Sequence, residues 1–157
     1  NSEKIFAIGF ETAKPILAVE KLNKFRIVLD SYFVMSYLDG IIPEKDDINK
    51  VFDLLKKIHK KGFLHGDVQI DNFMISKDKN NLYVLDAKLK KSFWGKIDEY
   101  YEYLYLDKSY NFFYNEPLNL YDKNNIYFKT AKFVDDYFEC FSRTKKYVKK
   151  KLFQKKM

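Results

Sequence analysis

His65-Gly66-Asp67-Val68-Gln69-Ile70-Asp71-Asn72-Phe73-Met74-Ile75, answered by Leu82-Tyr83-Val84-Leu85-Asp86, is the stretch of this sequence that decides its fold. A short loop carries an aspartate, Asp67, and five positions on an asparagine, Asn72. Apolar residues follow at once, and a second apolar run ends in another aspartate, Asp86. Phe73-Met74-Ile75 and Leu82-Tyr83-Val84-Leu85 flank the polar Ser76-Lys77-Asp78-Lys79-Asn80-Asn81, a pattern that predicts two strands joined by a turn. A plain hairpin with incidental loop acids has the same outline. The joint spacing is the specific part: His-x-Asp, Asn five after the Asp, a strand, then a strand ending in Asp.

Working outward, 157 residues make one domain by length, enough to bury about two-thirds of the unfolded surface. The single cysteine, Cys140, excludes an internal disulfide and fits a reducing compartment; it reads as a small apolar residue on a helix face. No secretory leader and no apolar run near the length of a membrane span is present. The net charge of +7 is a property of the end of the chain: residues 143–157 hold eight Lys or Arg and no acid. The remainder, with 21 basic against 22 acidic residues, is near neutral. That argues against a body that binds nucleic acid and for an appended contact with an anionic surface.

Upstream, Ser2 to Ile8 reads as a short helix closing at Gly9. After an extended piece through Pro15, residues 16–20, 26–29 and 31–35 read as three strands of an antiparallel meander, turning at Lys21–Lys24 and Asp30-Ser31. Pro43 to Lys61 has the strongest helical pattern. Pro43 and the acids Glu44, Asp46 and Asp47 suit its start; Ile48, Val51, Phe52, Leu55 and Ile58 form one stripe, and Gly62 ends it. His59, on its last turn, reads as a surface residue. A second helix is expected from a serine cap at Ser92 to Asp107, in a region with ten aromatics through Tyr114. Those aromatics suit a lobe core or a stacking wall for a sugar. After a loop at Asn115-Glu116-Pro117, a long amphipathic helix is expected from Asn124 or Asn125, with Ile126, Phe133, Val134, Tyr137, Phe138, Phe141 and Val148 on its apolar side.

The central stretch resembles the catalytic loop of protein kinases, His-Arg-Asp-Leu-x-x-x-x-Asn, with an Asp-Phe-Gly aspartate about a dozen residues later. The His-Gly-Asp form resembles small-molecule and sugar kinases of that fold. The resemblance implies an α+β, protein-kinase-like fold: a partial N-lobe over residues 1–42, with a short antiparallel strand remnant, and a mostly helical C-lobe over 43–157. It implies ATP and Mg2+, with Asp67 as base towards the acceptor hydroxyl and Asn72 and Asp86 as the metal's two protein ligands. Met35-Ser36-Tyr37-Leu38-Asp39-Gly40 resembles the hinge, so Met35 becomes the gatekeeper, and the Ser36 carbonyl and Leu38 amide the adenine contacts. His65 and Gln69 are expected to support the loop. No glycine-rich loop, strand lysine or partner glutamate can be placed in the 34 residues before Met35, although Lys14 and Lys24 are possible substitutes. The chain therefore reads as a fragment lacking about 60 residues of N-lobe, whose catalysis alone is in doubt, or else as a naturally short, degenerate protein. Gly66 in place of the loop arginine, Asp86-Ala87-Lys88 in place of Asp-Phe-Gly, and the absence of an Ala-Pro-Glu segment argue against a protein substrate.

Within the fold, Tyr37-Leu38-Asp39-Gly40, the His65 to Phe73 loop, Leu85-Asp86-Ala87-Lys88-Leu89-Lys90-Lys91, Ile97 to Tyr101 and the basic terminal helix resemble the bacterial lipopolysaccharide core kinases, in particular the heptose kinases. That resemblance implies transfer of the ATP γ-phosphate to an inner-core sugar hydroxyl, with a lipid-linked sugar acceptor as partner. The location would be cytoplasmic, peripheral on the inner face of the bacterial inner membrane. Phe141, Tyr147, Val148, Leu152 and Phe153 with the terminal lysines would meet the anionic bilayer. The alternatives are a kinase for a soluble amino-alcohol or aminoglycoside, and a kinase-like module that binds without catalysing.

Overall fold

Helix and sheet are mixed in the computed structural model, which describes residues 2–154, and side chains for residues 2–145. In chain order the elements are α1 (Ser2–Ala7), β1 (Pro15–Leu22), β2 (Val28–Met35), β3 (Gly40–Ile41), α2 (Ile48–Lys60), β4 (Phe63–Leu64), β5 (Phe73–Ser76), β6 (Leu82–Val84), β7 (Lys90–Lys91), α3 (Lys96–Tyr114) and α4 (Ile126–Gln154). The expected hairpin forms: β5 pairs antiparallel with β6, Phe73 opposite Val84, and β3 adds to its other edge. Gly40 has to be glycine there, because a Cβ would lie 2.5 Å from the Ile75 carbonyl oxygen. β4 and β7 close a small second ribbon, Phe63 opposite Lys91, that brackets the loop between them.

The α2 stripe is core as read. Ile48, Val51, Phe52 and Leu55 pack with Val68, Ile70 and Phe73 of the loop and with Tyr103, Leu106 and Tyr110 of α3. Ile58 turns to a second cluster with Ile5, Phe10, Val84, Ala87 and Leu89. The helix itself begins at Ile48 rather than Pro43, after a 3-10 turn over Lys45–Asp47. Asp47 is drawn inward, where it meets Lys50 at 3.1 Å and Lys79 at 3.4 Å. Burial opposes its charge, but these cations and the Glu44 amide outweigh burial and hold its carboxyl below the usual range.

Three further expectations need correction. The N-terminal strands form a two-stranded hairpin, not a meander. Its reversal is concentrated at Asn23–Ile27, where the Asn23 carboxamide accepts from the Phe25 and Ile27 amides and Arg26 takes a φ of 59°. Asp30 and Ser31 need no such conformation and pair straight across to Lys21 and Glu20. α3 starts at Lys96, not at a Ser92 cap, and runs on to Tyr114. Asp98 Oδ2 takes the Phe93 and Trp94 amides, both at 2.7 Å, together with the Ser92 hydroxyl, and so holds that segment as a loop. α4 begins where expected but faces the other way: Phe128, Ala131 and Asp135 are buried, whereas Ile126, Phe133, Tyr137, Phe138 and Phe141 are exposed. Cys140 is exposed on the same helix. The side chains of Tyr147, Val148, Leu152 and Phe153 lie outside the described residues. No helix among the described residues is long and apolar enough to cross a membrane.

Candidate active site

One face of α3 positions the loop. The Glu102 carboxylate, buried, accepts from the backbone amides of His65 (3.1 Å) and Gly66 (2.6 Å). About two turns further along the helix, the Ser109 hydroxyl accepts from the Ile70 amide at 2.8 Å. Tyr105 lies between them in sequence on the same side, since residues three to four apart share a helix face. His59 is not a surface residue. It is buried, with Nε2 2.8 Å from Glu102 Oε2 and Nδ1 3.2 Å from the Tyr103 hydroxyl. Glu102 was not singled out from the sequence, although a lone acid amid Tyr100, Tyr101, Tyr103 and Leu104 is the kind of residue that needs a buried partner.

His65 supports the loop through its backbone. Its carbonyl accepts from the Lys88 and Leu89 amides. Its ring is fully buried against Phe73, centroids 5.0 Å apart, and neither ring nitrogen has a hydrogen-bond partner among the described residues. Burial pushes the imidazole down to about 4, against the opposite pull of Glu102, Asp67 and Asp86.

Asp67 is half-buried at the loop's tip. Its backbone carbonyl accepts from Asn72 Nδ2 at 2.8 Å, which ties the two positions together. Its carboxylate meets Gln69 Nε2 at 3.3 Å and Lys88 Nζ at 2.7 Å. The lysine bond holds the Asp67 carboxyl below its usual range, with a smaller opposing effect of burial. Lys88, not singled out from the sequence, reaches Asp67 because Gly66 makes room. Gly66 has a φ of 85°, and a Cβ there would stand 3.0 Å from Lys88 Cβ.

Asp86 lies two residues past β6 and takes a φ of 40°, an uncommon conformation for a residue other than glycine. The preceding amide, that of Leu85, donates to the Asn72 carbonyl at 2.8 Å, so Asn72 and Asp86 lie close together at the open end of the hairpin. No group of three or more His, Cys, Asp or Glu that could hold a metal exists among the described residues. A Mg2+ carried by substrate phosphates does not need one, since it keeps waters and phosphate oxygens and takes one or two protein ligands. The donors fit. Asn72 spends its amide nitrogen on Asp67 and keeps its oxygen, and the exposed Asp86 carboxylate makes no hydrogen bond or ion pair among the described residues.

The residues expected to form a hinge are tied to this hairpin indirectly. Ser36 exchanges two bonds with Lys14, amide to carbonyl and hydroxyl from the Lys14 amide, both 2.8 Å. Three residues earlier, the Glu11 carbonyl accepts from the Val84 amide of β6. Met35 ends β2, exposed, and Leu38 is half-buried. Neither the Ser36 carbonyl nor the Leu38 amide takes part in a hydrogen bond among the described residues, so both are available to a ligand. Lys24 sits at the hairpin reversal over the Phe25 ring, and Lys14 is held by its backbone near Phe6. Asp67 also borders a cavity of about 280 Å³ whose lining includes Gly66, Lys90, Asp98, Tyr101 and Tyr105.

No protein-family model matches the chain. It is 38% identical over 74 residues to a probable serine/threonine-protein kinase of fowlpox virus (strain NVSL). The likeness is to a protein kinase. It covers 40% of this chain, and the chain spans only 24% of that relative's length. Kinase-like phosphotransfer, and with it use of a nucleotide and a metal in general, is what this similarity supports; nothing in it bears on lipopolysaccharide.

Proposed function

We propose that this chain is the C-lobe, with an N-lobe remnant, of an ATP-dependent phosphotransferase acting on an alcohol. The observation that carries the reading is the bond from Asn72 Nδ2 to the Asp67 carbonyl, which fixes the base and a metal ligand in one rigid turn. An acceptor hydroxyl in the cavity beside Asp67 gives its proton to that carboxylate. Its oxygen bonds to the γ-phosphorus, and the bridging P–O bond breaks with its electron pair leaving on ADP. Asn72 and Asp86 would hold Mg2+, which would supply neutralisation of charge on the phosphate oxygens, and the Ser36 carbonyl and Leu38 amide would hold adenine. Phosphoryl transfer asks mostly for such positioning and charge neutralisation.

For the acceptor, the compact cavity with Tyr101 and Tyr105 in its wall and Asp98 and Lys90 among its lining suits a sugar. This favours the acceptor that the lipopolysaccharide resemblance implies, a lipid-linked sugar. The chain passes from β6 to α3 in eleven residues, Leu85 to Gly95, which leaves little platform for a peptide. A serine or threonine hydroxyl is the second reading, favoured by the likeness to the fowlpox probable serine/threonine-protein kinase. We further propose that the basic terminal segment, next to the exposed Phe133, Phe138 and Phe141, meets an anionic bilayer.

Calorimetric titration with Mg-ATP tests the reading. Binding that is lost in Asp86→Asn supports it. Binding unchanged in Asp86→Asn, or no Mg-ATP binding by the wild-type chain, overturns it for the chain as it stands.

A further inference from the structure

Lys88 stands where a cation can serve two anions. Its backbone is fixed, because its amide is bound to the His65 carbonyl at 2.8 Å. Its stem crosses the loop over Gly66, the one residue type whose lack of a Cβ gives that path. Its ammonium, on a side chain 49% exposed, ends 2.7 Å from Asp67 Oδ2, while its own chain position is two residues after Asp86. A lysine at this place therefore borders both the base and the proposed metal-phosphate position, and an exposed four-carbon stem lets its head move without unfolding anything. No other cation contacts Asp67 among the described residues, and Gln69 offers only a neutral amide at 3.3 Å.

We propose that Lys88 is a γ-phosphoryl ligand that exchanges between Asp67 and the nucleotide. Paired with Asp67, it occupies the oxygen that an acceptor hydroxyl needs. When Mg-ATP lies at Asn72 and Asp86, the γ-phosphoryl group, with more charge and more oxygens than one carboxylate, draws the ammonium away. Asp67 Oδ2 is then open to the acceptor just when a phosphoryl group is present to be transferred. The exchange makes or breaks no covalent bond and moves no proton. It links nucleotide occupancy to the availability of the base, which limits unproductive binding of acceptor alone.

This inference rests on the phosphotransferase reading, and the test separates the two. Mg-ATP and Mg-ADP are titrated calorimetrically into wild type, Lys88→Met, Lys88→Arg, Asp67→Asn and the double variant Asp67→Asn/Lys88→Met, with thermal melts to confirm folding. Lys88→Met is expected to weaken Mg-ATP about ten-fold and leave Mg-ADP unchanged, as one charge-assisted contact to the γ-phosphate is lost. Lys88→Arg restores most of the difference. Asp67→Asn tightens Mg-ATP alone, because the lysine no longer has to leave a carboxylate, and the double variant behaves as Lys88→Met. Equal weakening of both nucleotides, or no change in their ratio, overturns the exchange while leaving the phosphotransferase reading intact. Wild type that binds neither nucleotide overturns both.

Discussion

Replacing Glu102 by Gln tests how the loop is held. The carboxylate is 5% exposed and receives three donors: the His65 amide, the Gly66 amide and His59 Nε2. A carboxamide of the same shape has one oxygen and one NH2, so at least one donor faces another donor. Losing a charge-assisted bond costs about 1.5–3 kcal/mol, and a buried orphaned donor about 1–3 kcal/mol. Together these give about 2.5–6 kcal/mol, and the roughly 3–5 kcal/mol seen when one member of a buried pair is removed, which lies within that span, sets the expectation. At roughly 2–4 °C per kcal/mol for a chain of this length, Glu102→Gln should lower Tm by about 6–20 °C. Thermal unfolding followed by circular dichroism at pH 7 measures this. A cycle with His59→Gln should show coupling of at least about 0.5 kcal/mol, since the two side chains touch. A Tm change below about 2 °C, or purely additive variants, would refute the buried clamp.

Three further outcomes are expected. The His65 imidazole is held at about 4 in the folded state against 6.5 for its ordinary value, so the unfolded chain binds the extra proton between those values. Stability is then full above pH ~6.5 and falls by roughly 3 kcal/mol as pH drops towards 4; urea unfolding of wild type against His65→Phe isolates this slope, which the variant should lack. Gly40→Ala should destabilise by roughly 1–3 kcal/mol in the same assay, because its Cβ meets the Ile75 carbonyl at 2.5 Å and Met74 Cγ at 2.7 Å. Asn115→Gly should stabilise by a few tenths of a kcal/mol to about 1 kcal/mol in thermal melts, as Asn115 ends α3 at a φ of 54°.

The parts of the fold legible in the sequence were those written in short-range periodicity. The β5–β6 hairpin is two short apolar runs around a polar turn, and the α2 stripe repeats at helical spacing, so each declares its own geometry. Adjacency of Asp67, Gln69 and Asn72 follows from one tight loop. The clamp was hidden because Glu102 and His59 acquire meaning only when α2 and α3 pack, 43 residues apart in sequence. Lys88 was hidden for a related reason: a lysine after an aspartate looks like a solvated charge until Gly66 is seen to open its path. α4 was read on the wrong face because apolar residues recur on both sides of it, and only packing against α3 selects Phe128 and Ala131. The start of α3 was misplaced because Asp98 competes for the amides that a Ser92 cap would have left to the helix.

The most direct test of a metal-nucleotide site at Asn72 and Asp86 is paramagnetic. Backbone amide resonances of the isotope-labelled chain are recorded with Mn2+-ATP, which broadens signals near the ion. The account predicts selective loss of the Asn72, Asp86 and Asp67 amides, with Asn115 at the far end of α3 unaffected. Broadening confined to other acidic positions, or absent from Asn72 and Asp86 at saturating Mn2+-ATP, would contradict it.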